Sequence, residues 1–362
     1  MKKAIYAMLV LIAALVTYLA FAPVPIAPIA WEAPDNPGYV GAFQANNRLA
    51  ELQRIDVGKS VGPEDVTAWD GALYATSQTG DITRIDPVTR TVTVIANTGG
   101  VPLGIEARDG VLYVADAHLG LLSVTLTGEV RVLTDTVDGS TIDYADDLDI
   151  GADGTIYFTD ASTKFGAKDH GSTMAASLLE IMESRGTGRV LAYNPRSKQT
   201  RLVAEGLVFP NGLALHPDGS LLVNETGRYR VLKINPTTGA MSDWIANMPG
   251  FPDNINPGPS TRNGAPTYLL GLISPRSDWL DANAVKPGAR KVALRLPPSM
   301  RPKAVPYGHI VQLDANGRVL RTFQDPDGAY HDATGAIVHN GVIYVSSLHE
   351  DALAFMAYPD LN

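Results

Sequence analysis

The chain has 362 residues, 45% of them hydrophobic, with 34 glycines, 25 prolines and no cysteine. A net charge of −9 without a long basic run argues against nucleic acid as a partner and gives no electrostatic reason to lie on an anionic membrane. Disulfides, thiolate metal sites and cysteine nucleophiles are excluded, and so much turn-forming residue favours many short strands over helices.

The N-terminus carries an address. Lys2 and Lys3 precede an apolar run from Ala4 to Ala22, and a proline-rich stretch follows from Val24 to Gly38. Nineteen residues at ~1.5 Å each span roughly the ~30 Å hydrocarbon core of a bilayer. A cleavable signal peptide is the competing reading, since Ala20-Phe21-Ala22 has the small-x-small form. Pro23 directly after the cut is unfavourable and the run is long for a signal core, so residues 1–23 read as an uncleaved anchor. The two lysines then stay cytoplasmic and the bulk of the chain lies on the extracytoplasmic side, or is secreted if the segment is cut. Residues 24–58 read as an irregular lead-in with room for one edge strand.

Residues 59–362 are repetitive. A turn followed by an apolar-Tyr pair recurs at Asp70-Gly71-Ala72-Leu73-Tyr74, Asp109-Gly110-Val111-Leu112-Tyr113 and Asp153-Gly154-Thr155-Ile156-Tyr157. Weaker or later copies stand at Asp218-Gly219-Ser220-Leu221-Leu222 and Asn340-Gly341-Val342-Ile343-Tyr344, with a degenerate sixth at Thr267-Tyr268-Leu269. The first intervals, 39 and 44 residues, match a four-stranded propeller blade. Six copies predict an all-β, six-bladed propeller. Two segments break the pattern: Ser172 to Ser184, with helical apolar spacing, and Ser274 to Pro306. Such insertions sit on one face of a propeller, where they form a lid or cover a hydrophobic rim.

Counting back from each turn locates the start of the preceding inner strand. Glu64 lies nine residues before Leu73 and Leu103 nine before Leu112; Asp146 lies ten before Ile156 and Asn211 ten before Leu221. Thr334 lies nine before Ile343, and Asn254 occupies the matching place in the fifth unit. Equal phase means equal height beside the channel, so Glu64, Asp146, Asn211 and Asp253-Asn254 converge from four blades. Carboxylates with amide oxygens form a set of the kind that binds Ca²⁺. Zinc is disfavoured, because no thiolate or paired His stands at this phase. A single Asp or Asn at a strand end more often caps a turn; several in register point to a site.

Gly62-Pro63-Glu64-Asp65, Tyr157-Phe158-Thr159-Asp160-Ala161-Ser162, Pro210-Asn211-Gly212-Leu213-Ala214, Asn224-Glu225-Thr226 and Pro249-Gly250-Phe251-Pro252-Asp253-Asn254-Ile255 resemble the strictosidine synthase-like family. Pro275-Arg276-Ser277 and Tyr307-Gly308-His309 add to the match, which covers roughly Val61 to Leu348. The anchor makes the chain most similar to the adipocyte plasma membrane-associated branch. More distant relatives are the paraoxonases, gluconolactonases and diisopropyl fluorophosphatase, six-bladed propellers with calcium in the channel. The resemblance implies calcium-ligand positions at Glu64, Asn211 and Asp253, with Asn254 matching a further ligand of paraoxonases. Asp146 stands where relatives usually have Asn.

Two departures narrow the chemistry that the resemblance implies. Plant strictosidine synthase uses a last-blade glutamate, and the matching position here is near Thr334, which makes that condensation unfavourable. Paraoxonases use a His pair; His118 matches its second member, but Leu103 stands in place of the first. His309 and His349 rank below His118 as site residues. The expectation is a calcium-dependent lactonase or arylesterase acting on a small apolar ester or lactone. Asp253 first and Asp146 second are the candidates to activate water or attack directly, with His118 as a further catalytic candidate. No Gly-x-Ser-x-Gly elbow occurs. The rival reading is a non-catalytic, membrane-tethered propeller that keeps calcium for stability and binds a ligand or protein partner.

Overall fold

In the computed structural model, which describes residues 1–359, six antiparallel four-stranded sheets surround a central axis with their first strands innermost. Five blades are built from consecutive strands, with inner strands Val66–Trp69, Pro102–Arg108, Ala145–Ile150, Pro210–Leu215 and Gly250–Gly258. The sixth takes Ala333–His339, Val342–Ser347 and Ala352–Ala357 from the C-terminal end of the chain. Its outer strand, Gln53–Asp56, comes from the lead-in and pairs antiparallel with Ala352–Ala357, Ile55 standing opposite Leu353. The fold is the six-bladed β-propeller that the repeats predict, and hydrogen bonds between its two ends close the ring.

The apolar-Tyr pair of the repeat has a simple origin. Adjacent residues of a strand point to opposite faces of the sheet. Here each face packs on a different neighbouring blade. Leu73 packs with Leu353 of the sixth blade, whereas Tyr74 packs with Ile105 of the second. Ile343 packs with Phe323 of the fifth blade, and Tyr344 packs with Leu73 of the first. The degenerate copy reverses the order: Tyr268 faces the fourth blade and Leu269 the sixth. The turns before the pairs use φ > 0 at both central residues in Asp70-Gly71, Asp109-Gly110 and Asn340-Gly341, the backbone that lets two twisted strands meet tightly.

Both expected insertions are helical. Thr173–Glu183 starts at Ser172, whose side chain accepts from the Ala175 N–H, and stops at Ser184 in the left-handed conformation. The second insertion holds helices Asp278–Ala282 and Pro287–Arg295. The lead-in threads between them, the Ala27 N–H donating to the Glu183 carboxylate at 2.6 Å and the Trp31 N–H to the Ala284 carbonyl at 3.2 Å. Lys2–Phe21 is one uninterrupted helix, long and apolar enough to cross a bilayer, and none of its residues is buried.

Candidate functional site

In blades two to six the pairing of the inner strand with its neighbour slips over two residues. The slips free Leu103-Gly104, Asp146-Asp147, Asn211-Gly212, Asp253-Asn254 and Thr334-Gly335 from the ladder, and such a bulge re-aims the side chains it carries. Glu64-Asp65 is the equivalent pair of the first blade: the Asp65 N–H donates to the Thr76 hydroxyl as the Asp147 N–H does to Thr159. This register puts Asp253, not Asn254, level with Asp146 and Asn211. The count from the turns misplaces the fifth unit by one residue because its inner hairpin, Gly250–Gly258 with Thr267–Pro275, is longer than the others.

The second members of the six pairs alternate around the axis as Asp65, Gly104, Asp147, Gly212, Asn254 and Gly335. There is no room for six side chains. A Cβ on Gly104 would stand 2.4 Å from the Asp147 carboxylate, and one on Gly212 would stand 2.4 Å from the Asp253 carbonyl. The side chains that remain fasten blades together: Asp65 accepts from the Ile105 N–H at 3.0 Å and Asp147 from the Leu213 N–H at 2.7 Å. Asn254 donates to the Glu64 carboxylate at 3.0 Å. Asp65 and Asp147 are therefore satisfied links between blades.

The first members differ. Glu64 Oε2, Asp146 Oδ2, Asn211 Oδ1 and Asp253 Oδ1 are buried without a hydrogen-bond partner, and so is Asn254 Oδ1 just below them. Asn224, cited in the sequence only for its resemblance, adds a sixth such oxygen while its amide nitrogen donates to the Asp253 carbonyl. A buried polar atom left unpaired costs about 1–3 kcal/mol, so a cluster of six calls for a partner. Burial pushes Glu64 well above the usual carboxylate range, and Asp253, Asp65 and Asp146 push it further. Burial and then Asp253 raise Asp146, and burial followed by Asp332 raises Asp253. Among the described residues no three His, Cys, Asp or Glu side chains cluster tightly enough to hold an ion by themselves, so amide oxygens are essential to the set. Oxygen-only donors of mixed charge fit Ca²⁺, which takes 6–8 such ligands.

Glu64, Asp146, Asn211 and Asp253 form the floor of a cavity of about 650 Å³. Its walls are apolar: Met174 and Leu178 of the first insertion, Trp279 and Leu294 of the second, and Phe209 and Phe251 between them. Asn254 lies beneath the floor and Thr334 turns away, its hydroxyl donating to the Glu64 carbonyl at 2.5 Å. His118 is not part of the lining; it sits in the turn after Val111–Asp116, where its N–H donates to Asp116. His349, which the sequence ranks below His118, does line the cavity, its Nδ1 2.8 Å from Asp332 Oδ2. Asp332 lines it too, so the last blade does supply an acid, two residues ahead of the Thr334 phase. Neither residue carries a repeat signal, because both stand outside the inner strand. His309 is fully buried against Tyr39, Phe43 and Tyr307, away from the cavity.

The chain matches the family described as Strictosidine synthase over residues 146–235 and Strictosidine synthase-like, N-terminal, over residues 41–85. It is 32% identical over 360 residues to the adipocyte plasma membrane-associated protein of Salmo salar, covering 91% of this chain and 83% of that one. The chain belongs to the strictosidine synthase-like family. A plant member, strictosidine synthase-like 3 of Arabidopsis thaliana, is 29% identical, with 82% of this chain and 75% of that one covered. Among solved structures, a gluconolactonase from Xanthomonas campestris superposes with a TM-score of 0.60 at 16% identity, covering 93% of this chain and 99% of that one. The calcium-binding protein regucalcin from Agrobacterium tumefaciens superposes with a TM-score of 0.56 at 12% identity, covering 86% and 98%. At these identities the structural likeness establishes the shared propeller of this strictosidine synthase-like chain.

Proposed function

We propose that this family member is a calcium-dependent hydrolase of lactonase or arylesterase type, acting on a small apolar ester or lactone. The observation that carries the reading is the set of unpartnered buried oxygens at the floor of an apolar cavity. The gluconolactonase and calcium-binding natures of two structural neighbours agree with it. Glu64, Asn211, Asp253 and Asp146 would hold the ion, with Asn254 and Asn224 beneath them. Bound calcium supplies a charge that polarises a carbonyl and offsets negative charge growing on its oxygen. The walls hold the apolar part of the substrate and keep bulk water out. Asp253, or Asp146 in its place, takes a proton from the attacking water and returns it to the departing oxygen. His349, half exposed and held by Asp332, passes to solvent the second proton, the one that the newly formed carboxylic acid sheds. The N-terminal helix anchors the chain in a bilayer, with Lys2 and Lys3 cytoplasmic and the propeller outside.

A second reading, a tethered propeller that binds an apolar ligand without turnover, is favoured by the cavity's apolar walls. The two separate on a panel of lactones and aryl esters assayed with EDTA and Ca²⁺ add-back. Turnover lost with EDTA and restored by Ca²⁺, with circular dichroism unchanged, supports the hydrolase. No turnover by calcium-stabilised protein supports the binding module.

A further inference from the structure

The second insertion departs in charge from the rest of the chain. Between Asp281 and Asp314 there is no Asp or Glu, while Lys286, Arg290, Lys291, Arg295, Arg301 and Lys303 contribute six cations to a chain of net charge −9. Three of the arginines are engaged on carbonyls. Arg290 is fully buried and donates to Met182 and Ala284, and Arg301 donates to Leu296 and Leu294. Arg295 donates to Leu19 at 2.7 Å and to Ala22 at 2.6 Å. Lys286, Lys291 and Lys303 make no ion pair among the described residues. In the same stretch Val285, Val292, Met300 and Val305 are exposed.

The Arg295 contacts fix where this surface lies. Leu19 and Ala22 form the C-terminal end of the apolar helix, so, with that helix as the bilayer anchor proposed above, the guanidinium that holds their carbonyls stands where it leaves the hydrocarbon. The insertion is thus tied at headgroup level, with unpaired lysines and exposed valines and methionine side by side. That combination suits an anionic bilayer surface: apolar side chains dip below the headgroups while lysines meet lipid phosphates. Leu294, Arg301, Lys303 and Val305 also line the cavity, so the face that meets lipid borders the cavity mouth.

We propose that residues 282–305 are a second membrane contact, a basic apolar plate that lies on anionic phospholipid and holds the cavity mouth against the bilayer. The plate holds under either reading of the site, because it needs neither calcium nor turnover. Ligands of the cavity then arrive by way of the lipid surface, which suits apolar molecules that partition there.

The absence of cysteine makes a direct test available. Full-length chain is placed in nanodiscs of phosphatidylcholine, with or without phosphatidylglycerol, and a fluorophore is attached at Met300→Cys or Val305→Cys. Val88→Cys, on an exposed turn at the opposite end of the first blade, is the control. Nitroxide-labelled lipid is expected to quench the labels at 300 and 305 in the anionic discs and to leave the label at 88 bright. The triple variant K286E/K291E/K303E changes only exposed or half-exposed side chains; it should lower the docked-to-free ratio on the order of a hundredfold, at roughly fivefold per lysine. Raised salt should weaken quenching in the native chain. Labels at 300 and 305 that stay bright in anionic discs would overturn the proposal. So would quenching equal in both lipids and unchanged by the triple variant, since the helix alone would then account for it. A melting temperature of the triple variant equal to that of the native chain shows that the comparison is between folded proteins.

Discussion

Asp146 and Asp147 are neighbours in the chain with opposite fates. Asp147 is answered by the Leu213 N–H, whereas Asp146 keeps an oxygen without a partner in the cavity floor. Removing one charge from the cluster relieves repulsion on Glu64, so Asp146→Asn should raise the melting temperature in EDTA, by roughly 1–2 °C per kcal/mol for a chain of this size. The same variant should gain less from added Ca²⁺. Asp253→Asn should lower kcat by about 10²–10⁴ on any substrate the native chain hydrolyses, the usual contribution of a general base. An unchanged kcat would remove Asp253 from that role. His309 tests burial away from the site. Its ring nitrogens have no partner and burial lowers its pKa to about 3 from an ordinary 6.5. Below pH 6.5 the unfolded chain binds a proton that the folded chain refuses, so the stability is full above 6.5 and is lost as pH falls towards 3. His309→Phe should therefore lose about 2–3 kcal/mol less than the native chain between pH 7 and 4.5, measured by urea unfolding.

The apolar-Tyr pair made the blades legible because it reports blade packing twice, once for each face of the second strand. Leu73 and Tyr74 cannot exchange with a polar residue without opening one interface or the other. The bulges were not legible. A slip of two residues leaves no mark in composition, and it decides that Asp253, rather than Asn254, faces the cavity floor. Asn224 was missed because it lies on a second strand, and Asp332 and His349 because they stand in loops outside the repeat phase. The narrow ring of paired residues yields a prediction at this scale. Gly212→Ala puts a Cβ 2.4 Å from the Asp253 carbonyl and 2.7 Å from Asn254 Cα, so it should cost at least about 1–3 kcal/mol and weaken calcium binding with it. Gly288→Ala, with nothing within 4 Å, is the matched control and should be neutral or stabilising by up to about 1 kcal/mol.

The molecule is a ring closed by its own two ends, with its chemistry gathered on one face. The strand Gln53–Asp56 completes the sixth blade, whereas no residue of the helix Lys2–Phe21 is buried and its hydrogen bonds to the rest are those of Arg295 at its C-terminal end. A chain beginning at Pro23 should melt as the native chain does, and one beginning at Gly58 should melt well below it; equal melting of the two would contradict closure by that strand. Composition indicated no pull towards a membrane surface. The proposed plate would reverse this locally, since six cations without an acid lie within residues 286–303 and Arg295 among them holds the end of the apolar helix. The central claim is that the channel oxygens are a divalent-cation site, and calorimetric titration of Ca²⁺ into EDTA-treated, dialysed full-length chain tests it most directly. The account predicts saturable binding of one ion per chain, a higher melting temperature on binding, and loss of both in Glu64→Gln/Asn211→Leu. No heat and no change in melting temperature in folded native chain would contradict it.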